Sequence, residues 1–95
     1  MKELENARQK IDEIDRQMAA LFEARMAAVR QVAAYKASCG MPILDQGREQ
    51  QVIEKNLTLL HDQTLAPFYK EYICCQMALS RRYQAEFLND SAQTD

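Results

Sequence analysis

The stretch from Leu4 to Ser38, LENARQKIDEIDRQMAALFEARMAAVRQVAAYKAS, holds neither Gly nor Pro. Apolar residues return at Leu4, Ala7, Ile11, Ile14, Met18, Leu21, Ala28, Val32 and Tyr35, a heptad-like spacing. The pattern predicts one long helix. With a rise of about 1.5 Å per residue it spans roughly 50 Å, whereas a compact globule of this chain length is about 32 Å across. The far end would carry its apolar stripe into water, and a second copy of the chain is the simplest cover. The expected fold is therefore all-α: three helices per chain, one long and two shorter, in an intertwined homodimer whose long helices pair. An extended coiled coil with no other task would leave the same stripe, and it stays open at this point.

Further along, Gly40 suits the left-handed position just past a helix end, and Pro42 enforces the stop. Asp45 can cap a second helix reaching to about His61, with Val52, Ile53, Leu57 and Leu60 on its apolar side. Thr64 can cap a third, with Pro67 tolerated in its first turn and Phe68, Tyr72, Ile73, Leu79, Tyr83 and Phe87 along it. Residues 89–95 read as a frayed polar tail on a single domain, 1–95.

Composition narrows the functional classes. The 95 residues are 47% hydrophobic and 27% charged with two Gly and two Pro, too few breakers for the turns of an all-β fold. Twelve basic against 14 acidic residues give a net charge of −2, which argues against a nucleic-acid binder; the basic pair Arg81-Arg82 is too short for a binding stripe. No apolar run is long enough to cross a membrane, and residues 1–6 lack the apolar core of a secretory signal. Cys39, Cys74 and Cys75 are an odd set, two of them adjacent, so a disulfide framework is not expected. Reduced thiols point to the cytoplasm. His61 is the only histidine and far in sequence from any Cys, so no metal site is expected.

Several polar residues interrupt this pattern. Arg25 occupies the heptad slot of Leu4, Ile11, Met18 and Val32. A charge in an apolar seam needs a partner. An ion pair with Glu13 or Glu23 would serve; so would a bound carboxylate, which a guanidinium meets with two parallel hydrogen bonds. Lys36 lies eleven residues on, close to a whole number of turns, and shares the Arg25 face about 16 Å away. Arg8 lies seventeen residues before Arg25, about 25 Å off, too far to reach the same ligand within one chain. If two long helices pair antiparallel with a twofold axis near Ala19, Arg8 of the partner subunit lands between Arg25 and Lys36. Asp45, Arg48 and Glu49 start the second helix, where acids also suit the helix dipole. On the third, Ser80 and Gln84 share a face that Gln76 extends. Each of these, taken singly, can also be an ordinary solvated charge or an interhelical hydrogen bond.

In their order and spacing, Arg8-Gln-Lys-Ile-Asp12-Glu-Ile-Asp15, Leu21-Phe-Glu-Ala-Arg25, Val32-Ala-Ala-Tyr-Lys36, Asp45-Gln-Gly-Arg48-Glu49 and Ser80-Arg-Arg-Tyr-Gln84 resemble the all-α chorismate mutases, found alone or fused to prephenate dehydratase or dehydrogenase. The resemblance runs from about residue 4 to 88. It implies an intertwined homodimer with two sites, each taking one arginine from the partner, and a Claisen rearrangement of chorismate to prephenate in Phe and Tyr biosynthesis. Carried over by motif, Arg25 and Ser80 would hold one substrate carboxylate and Arg8 of the partner subunit the other. Lys36 and Gln84 would bond the ether oxygen. Glu49, with the backbone near Asp45, would take the ring hydroxyl, and Arg48 would support that side of the site. Gly47 departs from the pattern and adds freedom at the helix start. The reaction implied is pericyclic and unimolecular, with no cofactor or metal expected. Isochorismate pyruvate-lyase on the same fold is one alternative, and a non-catalytic helical dimerisation or regulatory module is another. An acid beside Arg48 suits a chorismate hydroxyl. A pure dimeriser has no reason to line its interior with donors.

Overall fold

A computed structural model describes residues 1–93, and the side chains of 1–89. It holds three α-helices and no strand among the described residues: α1, Lys2–Ser38; α2, Gln46–Thr58; and α3, Ala66–Gln93, the last entered through a 3₁₀ turn, Gln63–Leu65. The all-α expectation holds.

The 37 residues of α1 run unbroken, as the absence of breakers requires. Its end is a Schellman cap: Gly40 takes φ 68°, its N–H donates to the Ala37 carbonyl (3.3 Å), and the Met41 N–H donates to the Lys36 carbonyl (2.8 Å). Asp45 caps α2 as expected, its carboxylate accepting from the Arg48 backbone N–H at 3.0 Å. Gly47 is not required there. A β-carbon on it would meet only Asp45 Oδ1, at an ordinary 3.6 Å. Gly47→Ala should therefore stabilise the fold by roughly 0.5 kcal/mol, through the lower entropy of its unfolded chain; an unchanged or lower midpoint of urea unfolding would contradict this.

One boundary differs from expectation. Thr64 does not cap α3. It is the donor, giving its hydroxyl (2.5 Å) and its N–H (3.0 Å) to the carboxylate of Asp62, which opens the 3₁₀ turn. A carboxylate is the stronger acceptor, so the cap moves two residues upstream. First the hydroxyl and then the amide hold the Asp62 carboxyl below its ordinary range. The sign follows: this contact contributes fully above the unfolded carboxylate pKa and is lost as acid protonates Asp62. The helix α3 runs to Gln93, and the polar stretch expected to fray begins within it at residue 89. Residues 94–95 lie outside those described.

The chain measures 56 × 30 × 14 Å, with a radius of gyration of 17.0 Å. A compact domain of this length would have about 12 Å. The smallest dimension is close to the width of one helix with its side chains, so the three helices lie in a single layer. Such a layer has almost no interior. Ala33, Ile73 and Met77 are its buried apolar residues, joined by buried Ser80 and Gln84. Along α1, the stripe of Leu4, Ile11, Ile14, Met18 and Leu21 is 43–68% exposed. None of these residues is buried by the described part of the chain.

Candidate active site

Each helix contributes one stripe to a common cavity of about 170 Å³. From α1 come Arg25, Val29, Val32 and Lys36, spaced four, three and four apart; the start of α2 brings Asp45, Arg48, Glu49 and Val52, spaced three, one and three; α3 supplies Met77, Ser80, Arg81 and Gln84 in that same spacing. These intervals keep each set on one helical face. The loop from Cys39 to Leu44 folds α2 back, and Ile43 closes one edge of the cavity.

Seven of the eight residues singled out in the sequence thus meet in one place. The eighth, Arg8, is exposed on the N-terminal part of α1 and does not line the cavity. That agrees with its distance along the helix from Arg25.

Arg25 does not pair with Glu13 or Glu23. Its Nη1 donates to Ser80 Oγ at 2.6 Å, joining α1 to α3. The Ser80 hydroxyl in turn donates to the Gln76 carbonyl at 2.9 Å. Its one proton is thus already committed, so direct donation to a ligand would require it to leave that carbonyl. As the chain stands, Ser80 holds Arg25 in place while the other guanidinium donors remain for an anion. Lys36 Nζ gives one hydrogen bond to the Ile43 carbonyl (2.9 Å), which tethers the α1–α2 loop and leaves two ammonium protons uncommitted.

Gln84 is only 7% exposed, and its Oε1 is buried without a partner among the described residues. An orphaned polar atom at such a position is costly. A half-turn of the amide exchanges oxygen and nitrogen at little change in shape, so the same end can present an N–H to a ligand oxygen.

Arg81 was not singled out beyond its membership of a short basic pair. Its Nη1 lies 2.5 Å from both Glu49 oxygens, across the gap between α2 and α3. The i, i+3, i+4, i+7 set through Met77, Ser80 and Gln84 would have placed it on the cavity face. Arg82, by contrast, makes an exposed 3.5 Å contact with Glu86 on its own helix, worth little. Around the cavity, four cationic side chains (Arg25, Lys36, Arg48 and Arg81) stand against two carboxylates, Asp45 and Glu49. The excess favours an anionic ligand.

Comparison with known proteins bears on what that ligand is. The family model for chorismate mutase type II matches residues 7–85, which include every residue of the cavity. The chain belongs to the type II chorismate mutase family. It is also 26% identical over 100 residues to a bifunctional chorismate mutase/prephenate dehydratase of Aquifex aeolicus (strain VF5); the match takes in 97% of this chain but only 28% of that relative. No solved structure matches. The cationic cavity therefore lies wholly within a chorismate mutase type II segment. Among the described residues no helix is long and apolar enough to cross a membrane.

Proposed function

We propose that this chain catalyses the rearrangement of chorismate to prephenate, as a homodimer with two sites. The observation that carries the reading is the unpartnered Gln84 amide set in a cavity with a cationic excess. Chorismate carries two carboxylates and breaks an ether bond as a carbon–carbon bond forms. A site for it must hold the folded, chair-like conformer and stabilise negative charge growing on the ether oxygen.

The residues divide accordingly. Arg25, steadied by Ser80, receives one carboxylate. Lys36 and Gln84 donate to the ether oxygen. Glu49 accepts the ring hydroxyl, and Arg48 supports the α2 side. The second carboxylate falls to Arg8 of the partner subunit. Two features support the dimer. The apolar stripe of α1 is uncovered, and the cavity of about 170 Å³ is well below the roughly 300 Å³ at which ligand-enclosing pockets begin. A second α1 laid antiparallel would cover the first and close the second. A million-fold acceleration corresponds to about 8 kcal/mol, within the combined reach of positioning and oxyanion stabilisation. A cytoplasmic location and a place in Phe and Tyr biosynthesis accompany this reading.

The test is direct: the purified chain is given chorismate and, in parallel, isochorismate. Loss of chorismate absorbance with prephenate formed, and little pyruvate from isochorismate, is the expected result. Pyruvate release as the main activity would replace the mutase by the lyase. Inertness of a folded dimer toward both would leave only a helical interaction module.

A further inference from the structure

We infer that Arg81 is a positioning residue for substrate recognition, fixing the Glu49 carboxylate at the cavity wall and offsetting its charge so that a dianionic ligand can approach an acid. The inference rests on the mutase reading above. Among the described residues, Arg81–Glu49 is the ion pair that joins two helices, between positions 32 apart. Both side chains line the cavity, and both are partly shielded, 35% and 24% exposed.

The cavity poses an electrostatic conflict. An acceptor is needed for a neutral hydroxyl, and an ionised carboxylate is a strong one. The same carboxylate repels the two carboxylates of the ligand. A guanidinium held against Glu49 removes most of that repulsion without removing the acceptor. One nitrogen set between Oε1 and Oε2 leaves lone pairs on both oxygens free. In this role Arg81 acts through Glu49, to which its Nη1 is bonded.

A simple strut between α2 and α3 would use the same contact, since α2 buries no residue of its own. The two roles separate in kinetics. Arg81→Ala should raise KM for chorismate about tenfold, the loss of one charge-assisted contact, while kcat falls much less. Arg81→Lys should keep most of the affinity. The deciding variant is Glu49→Gln combined with Arg81→Ala: with no charge left to offset, its KM should fall below that of Arg81→Ala alone. A strut predicts lower melting temperatures for both Arg81→Ala proteins, with no recovery of KM in the double variant.

The measurements are kcat and KM for the parent, Arg81→Ala, Arg81→Lys, Glu49→Gln and the double variant at low and at 0.5 M salt, with circular dichroism melts of each. Arg81→Met, which keeps the aliphatic stem, replaces Arg81→Ala should that protein fail to fold. An inactive parent sinks the mutase reading itself. An active parent whose Arg81 and Glu49 effects on KM simply multiply overturns the role given to Arg81 and leaves the mutase standing.

Discussion

An equal mixture of Arg8→Ala and Arg25→Ala proteins, each nearly inactive alone, should recover about one quarter of the parent activity after subunit exchange. In the proposed site either arginine meets a substrate carboxylate, so each variant alone should lose about 10² or more in kcat/KM. Within one chain, Arg8 stands away from the cavity that holds Arg25. In a twofold dimer, the heterodimer has one site with both arginines intact and one with neither. Random pairing makes about half the dimers mixed, and half the sites in those are whole, hence the quarter. Sedimentation establishes the dimer, and a mass-tagged variant shows that exchange has occurred. Arg25 also holds Ser80, so the folding of Arg25→Ala is checked by circular dichroism. Demonstrated exchange with no recovery would place Arg8 within its own chain's work, or outside the reaction.

The second large effect concerns Gln84. A neutral amide donates at any ordinary pH and should set no pH limit. Gln84→Glu keeps the shape but changes the proton count: ionised, it has no donor and puts negative charge beside an oxygen that is itself becoming negative; protonated, it has one O–H to give. Activity of this variant should rise as pH falls, over a range where the parent changes little. Gln84→Ala should be poor throughout, down by about 10² to 10³ as for loss of an oxyanion donor. The check is kcat/KM against pH for the three proteins. A Gln84→Glu profile parallel to the parent's would return Gln84 to a purely structural role.

Features written in local spacing were legible in the sequence. The length of α1 follows from 35 residues without a breaker, its end from Gly40, and the start of α2 from Asp45. The cavity faces of Arg25 and Lys36, and of Ser80 and Gln84, follow from helical periodicity. Contacts between distant helices were not legible in this way. Arg25 has acids near it in sequence, yet its partner is Ser80, 55 positions on. Arg81 stands out in the sequence only as half of a short basic pair, because nothing along α3 tells that Glu49 will be carried opposite it. Thr64 and Asp62 illustrate a smaller case. Both can cap, and the 3₁₀ turn that decides between them depends on how the chain is led from α2 into α3.

A single layer of helices also bears on how this protein can change over generations. In most domains a mutation that harms packing and one that harms chemistry strike different residues. Here Ser80 and Gln84 are two of the five buried residues of the described chain. Drift that would elsewhere be absorbed by an anonymous hydrophobic centre falls instead on groups that line the cavity. Taken singly, the chain has few interior positions at which variation could stay silent; the stripe of α1 becomes such a place only where a second copy covers it.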